Sequence, residues 1–243
     1  MPHDGLRRRG LALVRRVLRA GRGVSLHVDG LQLCVYSVSM QKIAQTDHLV
    51  LELIARRWSP YAFAERDVSR EDLCSLFEAA RWAPSSYNEQ PWSYIVATRS
   101  ERAEFDRVLS CLVEGNQAWV RHVPVLALGI TREVFARNGK PNAAAQHDLG
   151  LASENLVVEA TARGLCVHQM IGIVPERARE IYGIPDHSRA LTGIAIGYPG
   201  DPTLLPEALR ARDLAARTRK TLPEFVFGGS WGRPSALVTG SED

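Results

Sequence analysis

Seven consecutive residues, Pro124 to Ile130, carry no polar or charged side chain. The run is too short for an independent helix, and a strand that lacks inside-outside alternation must be covered on both faces. The chain is therefore expected to hold a sheet between layers of helices. Ser93 to Thr98, Leu165 to Ile171 and Leu191 to Gly197 supply the further strands.

Helical periodicity surrounds these runs. Leu49, Leu53 and Ile54 mark a stripe over His48 to Arg57. Ser69 stands as an N-cap for Arg70 to Trp82, with Asp72 three residues on to complete a capping box, and Leu73, Leu76, Phe77 and Ala80 form the apolar face. The spacing also predicts a helix over Glu101 to Glu114. A long one runs from about Asn142 to Arg163, burying Leu149, Ala152, Leu156 and Ala160 and stopping at Gly164. A further helix starts at Pro175 and ends at Tyr182 before Gly183. The order of elements is not a simple βαβ series, and no G-x-G-x-x-G or G-x-x-x-x-G-K-[ST] follows a strand. Any phosphate must be held by side chains or by other backbone nests.

Hydrophobic residues make up 45% of the chain and charged residues 23%, as expected of a globular protein. The net charge of +3 is small, and its excess lies in residues 6–22, where Arg7, Arg8, Arg9, Arg15, Arg16, Arg19 and Arg22 have no acid among them. No nucleic-acid reading motif accompanies that charge, so no nucleic-acid partner is expected. Residues 1–39 read as a poorly ordered basic N-terminal extension, with a short amphipathic turn available at Leu11 to Leu18, and residues 40–243 as the functional domain. Met40 is an alternative start, in which case deleting residues 1–39 should leave the function of the remaining domain unchanged. Cys34, Cys74, Cys111 and Cys166 include no C-x-x-C, which argues against a zinc site or a disulfide framework. No apolar stretch approaches spanning length and no signal peptide is evident, so a cytoplasmic protein without a membrane partner is expected.

Three separated stretches suit one anionic, planar, hydrogen-bonding ligand. Arg56-Arg57-Trp58-Ser59 offers guanidinium forks directly after a helix. Ser85-Ser86-Tyr87-Asn88-Glu89-Gln90-Pro91-Trp92 is dense in short polar side chains. Arg217-Thr218-Arg219-Lys220 adds late cations. Taken singly, the first is also a solvated helix end, the second a capped turn and the third a charged tail.

Together they resemble the nitroreductase family, whose members carry an early Arg-Arg-x-Ser or Arg-x-Ser element, a Pro-Ser-Ser-x-Asn-x-Gln-Pro-Trp loop and basic residues near the C-terminus. The resemblance continues through Val167-His168-Gln169-Met170 with Gly172 and through Ile196-Gly197-Tyr198-Pro199, covering roughly Asp47 to Trp231. It implies an α+β fold, nitroreductase-like, with a central mixed, mainly antiparallel β-sheet flanked by helices. It also implies a homodimer with FMN at the interface, each site built from both chains.

By that resemblance Arg56, Arg57 and Ser59, with Trp58 in the same stretch, are the early phosphate and flavin contacts. Arg217, Arg219 and Lys220 include the late phosphate contacts. Asn88 hydrogen-bonds the flavin, supported by Ser85, Ser86 and Gln90, while Val167, His168, Gln169 and Met170 line the ring. Tyr61 stands where many relatives have Lys or Arg. The implied reaction carries a hydride from NADH or NADPH to a small electron-poor acceptor, a nitroaromatic or quinone, with ping-pong kinetics. No catalytic side chain and no metal are expected, because the cofactor supplies the chemistry. The same motifs also suit FMN-dependent dehydrogenases, dehalogenases or a flavin-fragmenting enzyme, and a redox-silent flavin-binding protein. His168 is expected to be structural or flavin-contacting, and Cys166 a small buried apolar residue.

Overall fold

A computed structural model describes residues 24–28, 31–35 and 42–239. Strands β1 (Val24–Val28) and β2 (Leu31–Val35) pair antiparallel as a separate two-stranded sheet. The arginine-rich run and the turn expected at Leu11 to Leu18 lie outside the described residues.

The main domain follows in the order α1 (Glu52–Arg56), α2 (Arg70–Arg81), β3 (Trp92–Thr98), α3 (Arg102–Ser110), α4 (Glu114–Val120), β4 (Val125–Arg132), α5 (Ala145–Ala162), β5 (Cys166–Met170), α6 (Pro175–Tyr182), β6 (Ser188–Gly197), α7 (Glu207–Leu214) and α8 (Ala236–Thr239). The four-stranded sheet has the order β3-β4-β6-β5. Every pairing among the described residues is antiparallel, which makes the class α+β.

The uncharged run becomes β4, an interior strand buried from Val125 through Thr131. Its alternate side chains feed two cores. Leu126, Leu128 and Ile130 join Phe105, Val108, Trp119 and Ala178 on one face, beneath α3, α4 and α6. Val125 and Ala127 join Leu76, Ala80, Ala152, Leu156 and Ala160 on the other, beneath α2 and α5. A central strand therefore has to be apolar on both sides, and the missing alternation reports that position.

Helix ends follow local chemistry where local chemistry is strong. The Ser69 hydroxyl accepts from the Asp72 N–H at 3.0 Å, as a cap should. The Asp72 carboxylate returns to the Ser69 hydroxyl at 2.8 Å and also receives Arg163 at 3.1 Å, so it links α2 to α5. Gly164 and Gly183 end α5 and α6 at φ 72° and 61°, a backbone shape that side-chain-bearing residues adopt only at a cost.

Three helix expectations need correction. The one placed over His48 to Arg57 shrinks to α1, because Leu49 and Ile54 lie on the exposed surface and an unburied stripe stabilises little. The helix over Glu101 to Glu114 stops at Ser110, and a second, unforeseen helix begins at Glu114. Between them the backbone is claimed by the segment after β5: Val113 N–H donates to Gly172 O at 3.1 Å, Val174 N–H donates to Cys111 O at 2.7 Å, and Leu112 is buried. Finally α5 starts at Ala145 rather than Asn142, whose side-chain oxygen accepts from the Ala144 N–H at 3.1 Å and holds a turn instead.

Candidate functional site

Arg57, Arg217, Arg219 and Lys220 line one cavity of about 590 Å³. Val50, Ile54, Leu222 and Phe225 give it an apolar side, and Gln45, Asp47 and His48 complete the rim. Arg217 is half-buried and fastens the C-terminal segment to the end of α1, donating to Ala55 O at 2.6 Å and to Lys42 O at 2.8 Å. Burial, with Arg57 and Arg219 beside it, pulls the Arg217 guanidinium below its ordinary pKa. Like charges crowded in this way make a site that an anion relieves. Arg57 donates to the Ser59 hydroxyl at 3.2 Å, which aligns the early pair. Arg56 instead turns back to Glu52 at 3.4 Å, and Trp58 lies under the Lys42 ammonium at 5.1 Å.

The segment after Ser59 forms a platform beside β5. Asp213, only 2% exposed, accepts from the Tyr61 N–H at 2.8 Å and from the Ala62 N–H at 2.9 Å. The chain next pairs with the end of β6: Ala64 N–H donates to Tyr198 O and Gly200 N–H to Ala62 O, each at 2.9 Å. A Cβ at Gly200 would sit 2.5 Å from the Phe63 carbonyl carbon, so the close approach needs glycine there. Tyr61, where a cation was the alternative, packs edge-on against Trp119 and His168 at 4.9 and 4.7 Å.

His168 Nδ1 lies 2.8 Å from Pro60 O, and a carbonyl can only accept, so Nδ1 carries the proton. Burial holds the ring below the ordinary imidazole pKa, against the Pro60 carbonyl and Asp213. The unfolded chain therefore takes up a proton first as the pH falls. Stability present above about pH 6.5 is lost from there down through the depressed folded value. Denaturation midpoints are expected to fall over that range in the native chain and to fall less in His168→Gln. Burial also pushes the Cys166 thiol up to about 12, which suits an inert apolar residue.

Within β5, Val167 and Met170 are buried, His168 is half-buried and Gln169 is exposed. Among the described residues β5 pairs only with β6, so its outer edge leaves backbone N–H and C=O groups available to a ligand. Asn116 on α4 donates to Gly172 O at 2.9 Å and occupies the space a Cβ there would need.

The Ser85 to Gln90 loop lies outside the cationic cavity. Its Gln90 lines a second hollow of about 370 Å³ with Trp92, Arg132 and His187, and Asn88 is exposed. Tyr87, Asn88 and Gln90 have φ of 54°, 55° and 48°. Such residues cost roughly 1 to 2 kcal/mol each and persist only where neighbours over-determine them, which is frequent at ligand clamps. Ser86 N–H donates to the buried Asp148 at 3.1 Å, Gln90 N–H to Ser85 Oγ at 3.0 Å, and Gln90 Nε2 to Asn88 Oδ1 at 3.1 Å.

Of the expected site residues, the fold thus brings Arg57, Arg217, Arg219 and Lys220 to one cavity, with Ser59 joined to them through Arg57, and the Ser85, Ser86, Asn88 and Gln90 loop does not line that cavity within one chain. Asp213, Glu89 and Asp148 escaped the sequence reading because acids without a motif look like any solvated charge. Among the described residues, no group of three or more potential metal ligands occurs, and no helix is long and apolar enough to cross a membrane.

The sequence model of the nitroreductase family matches residues 54–198. The chain belongs to the nitroreductase family. A solved structure of an oxidoreductase containing FMN is 33% identical and superposes with a TM-score of 0.73, covering 77% of this chain and 95% of that one. The NADH dehydrogenase of Thermus thermophilus is 30% identical over 158 residues, 53% of this chain and 76% of that protein. An uncharacterised 15.4 kDa protein of Mycolicibacterium smegmatis is 39% identical over 87 residues, 36% of this chain and 58% of its own length. The family match stops before the late cations, so their place in the cavity is a separate structural observation.

Proposed function

We propose that this chain is an FMN-dependent oxidoreductase that passes reducing equivalents from NADH or NADPH to a small electron-poor acceptor such as a nitroaromatic or quinone. The observation that carries this reading is the one cavity shared by Arg57, Arg217, Arg219 and Lys220. Its donors fit the phosphate end of FMN, because crowded guanidinium and ammonium groups gain most from a dianion. The similarity to an oxidoreductase containing FMN and to an NADH dehydrogenase supports the same cofactor and donor. When bound, FMN supplies two-electron transfer in two half-reactions, so donor and acceptor use one site in turn and ping-pong kinetics are expected.

The protein's part is to bind, orient and exclude water. Arg57 and Ser59, with the late cations, would hold the phosphate, and the open edge of β5 would lie along the ring. Ser85, Ser86, Asn88 and Gln90 would reach the ring from a second protomer, since they stand apart from the cavity in their own. Exposed Leu49, Leu51 and Ile54, with Phe225 and Trp231, offer apolar surface for such a homodimer.

The test is anaerobic mixing of the purified, flavin-loaded chain with NADH and with NADPH. Bleaching of the flavin band by at least one donor, and its return on adding a quinone or nitroaromatic, is expected. A chain that takes up no FMN, or whose flavin neither donor bleaches, refutes the proposal, and the second result favours a redox-silent flavoprotein.

A further inference from the structure

We infer that Glu89 is a positioning residue, whose carboxylate on Arg132 and the Ala136 N–H holds the Ser85 to Gln90 loop in the shape that presents Asn88 and Gln90 to the flavin. The inference rests on the proposed FMN function and adds a residue that the family motif leaves variable. Glu89 sits between Asn88 and Gln90 and has an ordinary right-handed backbone, φ −72°, while both neighbours are left-handed. Its side chain is 9% exposed, turned inward as its neighbours face solvent. Oε1 receives Arg132 Nη2 at 2.7 Å and also accepts from the Ala136 N–H.

The loop's other bonds explain why this contact matters. Gln90 to Ser85 and Gln90 to Asn88 tie the loop to itself and leave its placement on the domain open. Polar placement comes from Ser86 on Asp148 at one end and from Glu89 at the other, and the Tyr87 ring between them packs edge-on against Phe135 at 5.8 Å. Arg132 is itself fixed at the end of β4, its N–H donating to Pro91 O at 2.9 Å and its Nε to Val134 O at 3.2 Å. A charge-assisted pair whose carboxylate is largely shielded from water, at the end of an interior strand, is a rigid anchor. Without it, the left-handed residues can relax toward commoner conformations, and the amides of Asn88 and Gln90 lose their aim.

The experiment uses the full chain and reads FMN dissociation constant, visible spectrum and reduction potential of bound FMN, and melting temperature of the flavin-free protein. Glu89→Ala is expected to raise the dissociation constant about ten-fold and to shift the flavin band and potential. Glu89→Gln is expected to recover part of each change, since its amide oxygen still accepts from Arg132 and Ala136. If Glu89→Ala binds FMN with native affinity, spectrum and potential, the inference is overturned while the proposed function stands. If the native chain itself takes up no FMN, both fall together. Should Glu89→Ala fail to fold, Arg132→Met is expected to give the same spectral shift, and a native spectrum and affinity there overturn the inference equally.

Discussion

Arg57→Ala is expected to weaken FMN binding by about ten-fold to a hundred-fold, because a hydrogen bond to a charged group is worth roughly 1.5 to 3 kcal/mol. Arg57 is the early cation in the cavity, and Arg217, Arg219 and Lys220 come from the other end of the chain. Removing it leaves the late cations without the early charge that converges on them. Arg56→Ala is the matched control, since Arg56 is paired with Glu52 at 3.4 Å and its loss should change affinity far less. Fluorescence titration of flavin-free protein with FMN reads both variants. Native affinity in Arg57→Ala would remove Arg57 from the proposed phosphate site.

Asp213→Ala is expected to lower folding stability by about 2 to 4 kcal/mol, the cost of leaving buried donors without an acceptor. The Tyr61 and Ala62 N–H groups both end on this carboxylate, and Ala62 is buried. Asp213 is also the one fully buried residue of α7, so that helix docks through a charge as well as through the partly buried Leu209, which packs on the first core. Freed from the 58–62 segment, α7 would carry Arg217, Arg219 and Lys220 away from Arg57. FMN affinity should therefore fall together with the urea midpoint, and Asp213→Asn, which retains one acceptor, should fall between. A native midpoint in Asp213→Ala would show that water or a neighbour replaces the carboxylate without cost.

Much of the scaffold was legible because local rules agreed with global burial. Ser69, Gly164, Pro175 and Gly183 each mark a helix end by a backbone requirement that holds in any context. The stripe Leu149, Ala152, Leu156 and Ala160 is buried as its spacing predicts. The failures share one cause. At Leu49 the apolar pattern was present without a core to receive it, and at Cys111 to Val113 a distant strand end took the backbone that a helix would have used. The anchors Glu89 and Asp213 lie 43 and 152 residues from partners that give them meaning.

From the chain alone came a sheet covered on both faces, its strand runs, most helix ends, and three polar stretches suited to an anionic, planar ligand. Those follow from composition and short-range spacing, which travel with the sequence. Only the folded structure decided that Arg57 rather than Arg56 faces the late cations, that Arg217 is fastened to the end of α1, and that one buried acid joins α7 to the platform beside β5. Such choices depend on how two packed layers bring distant segments side by side, and no local spacing carries that information.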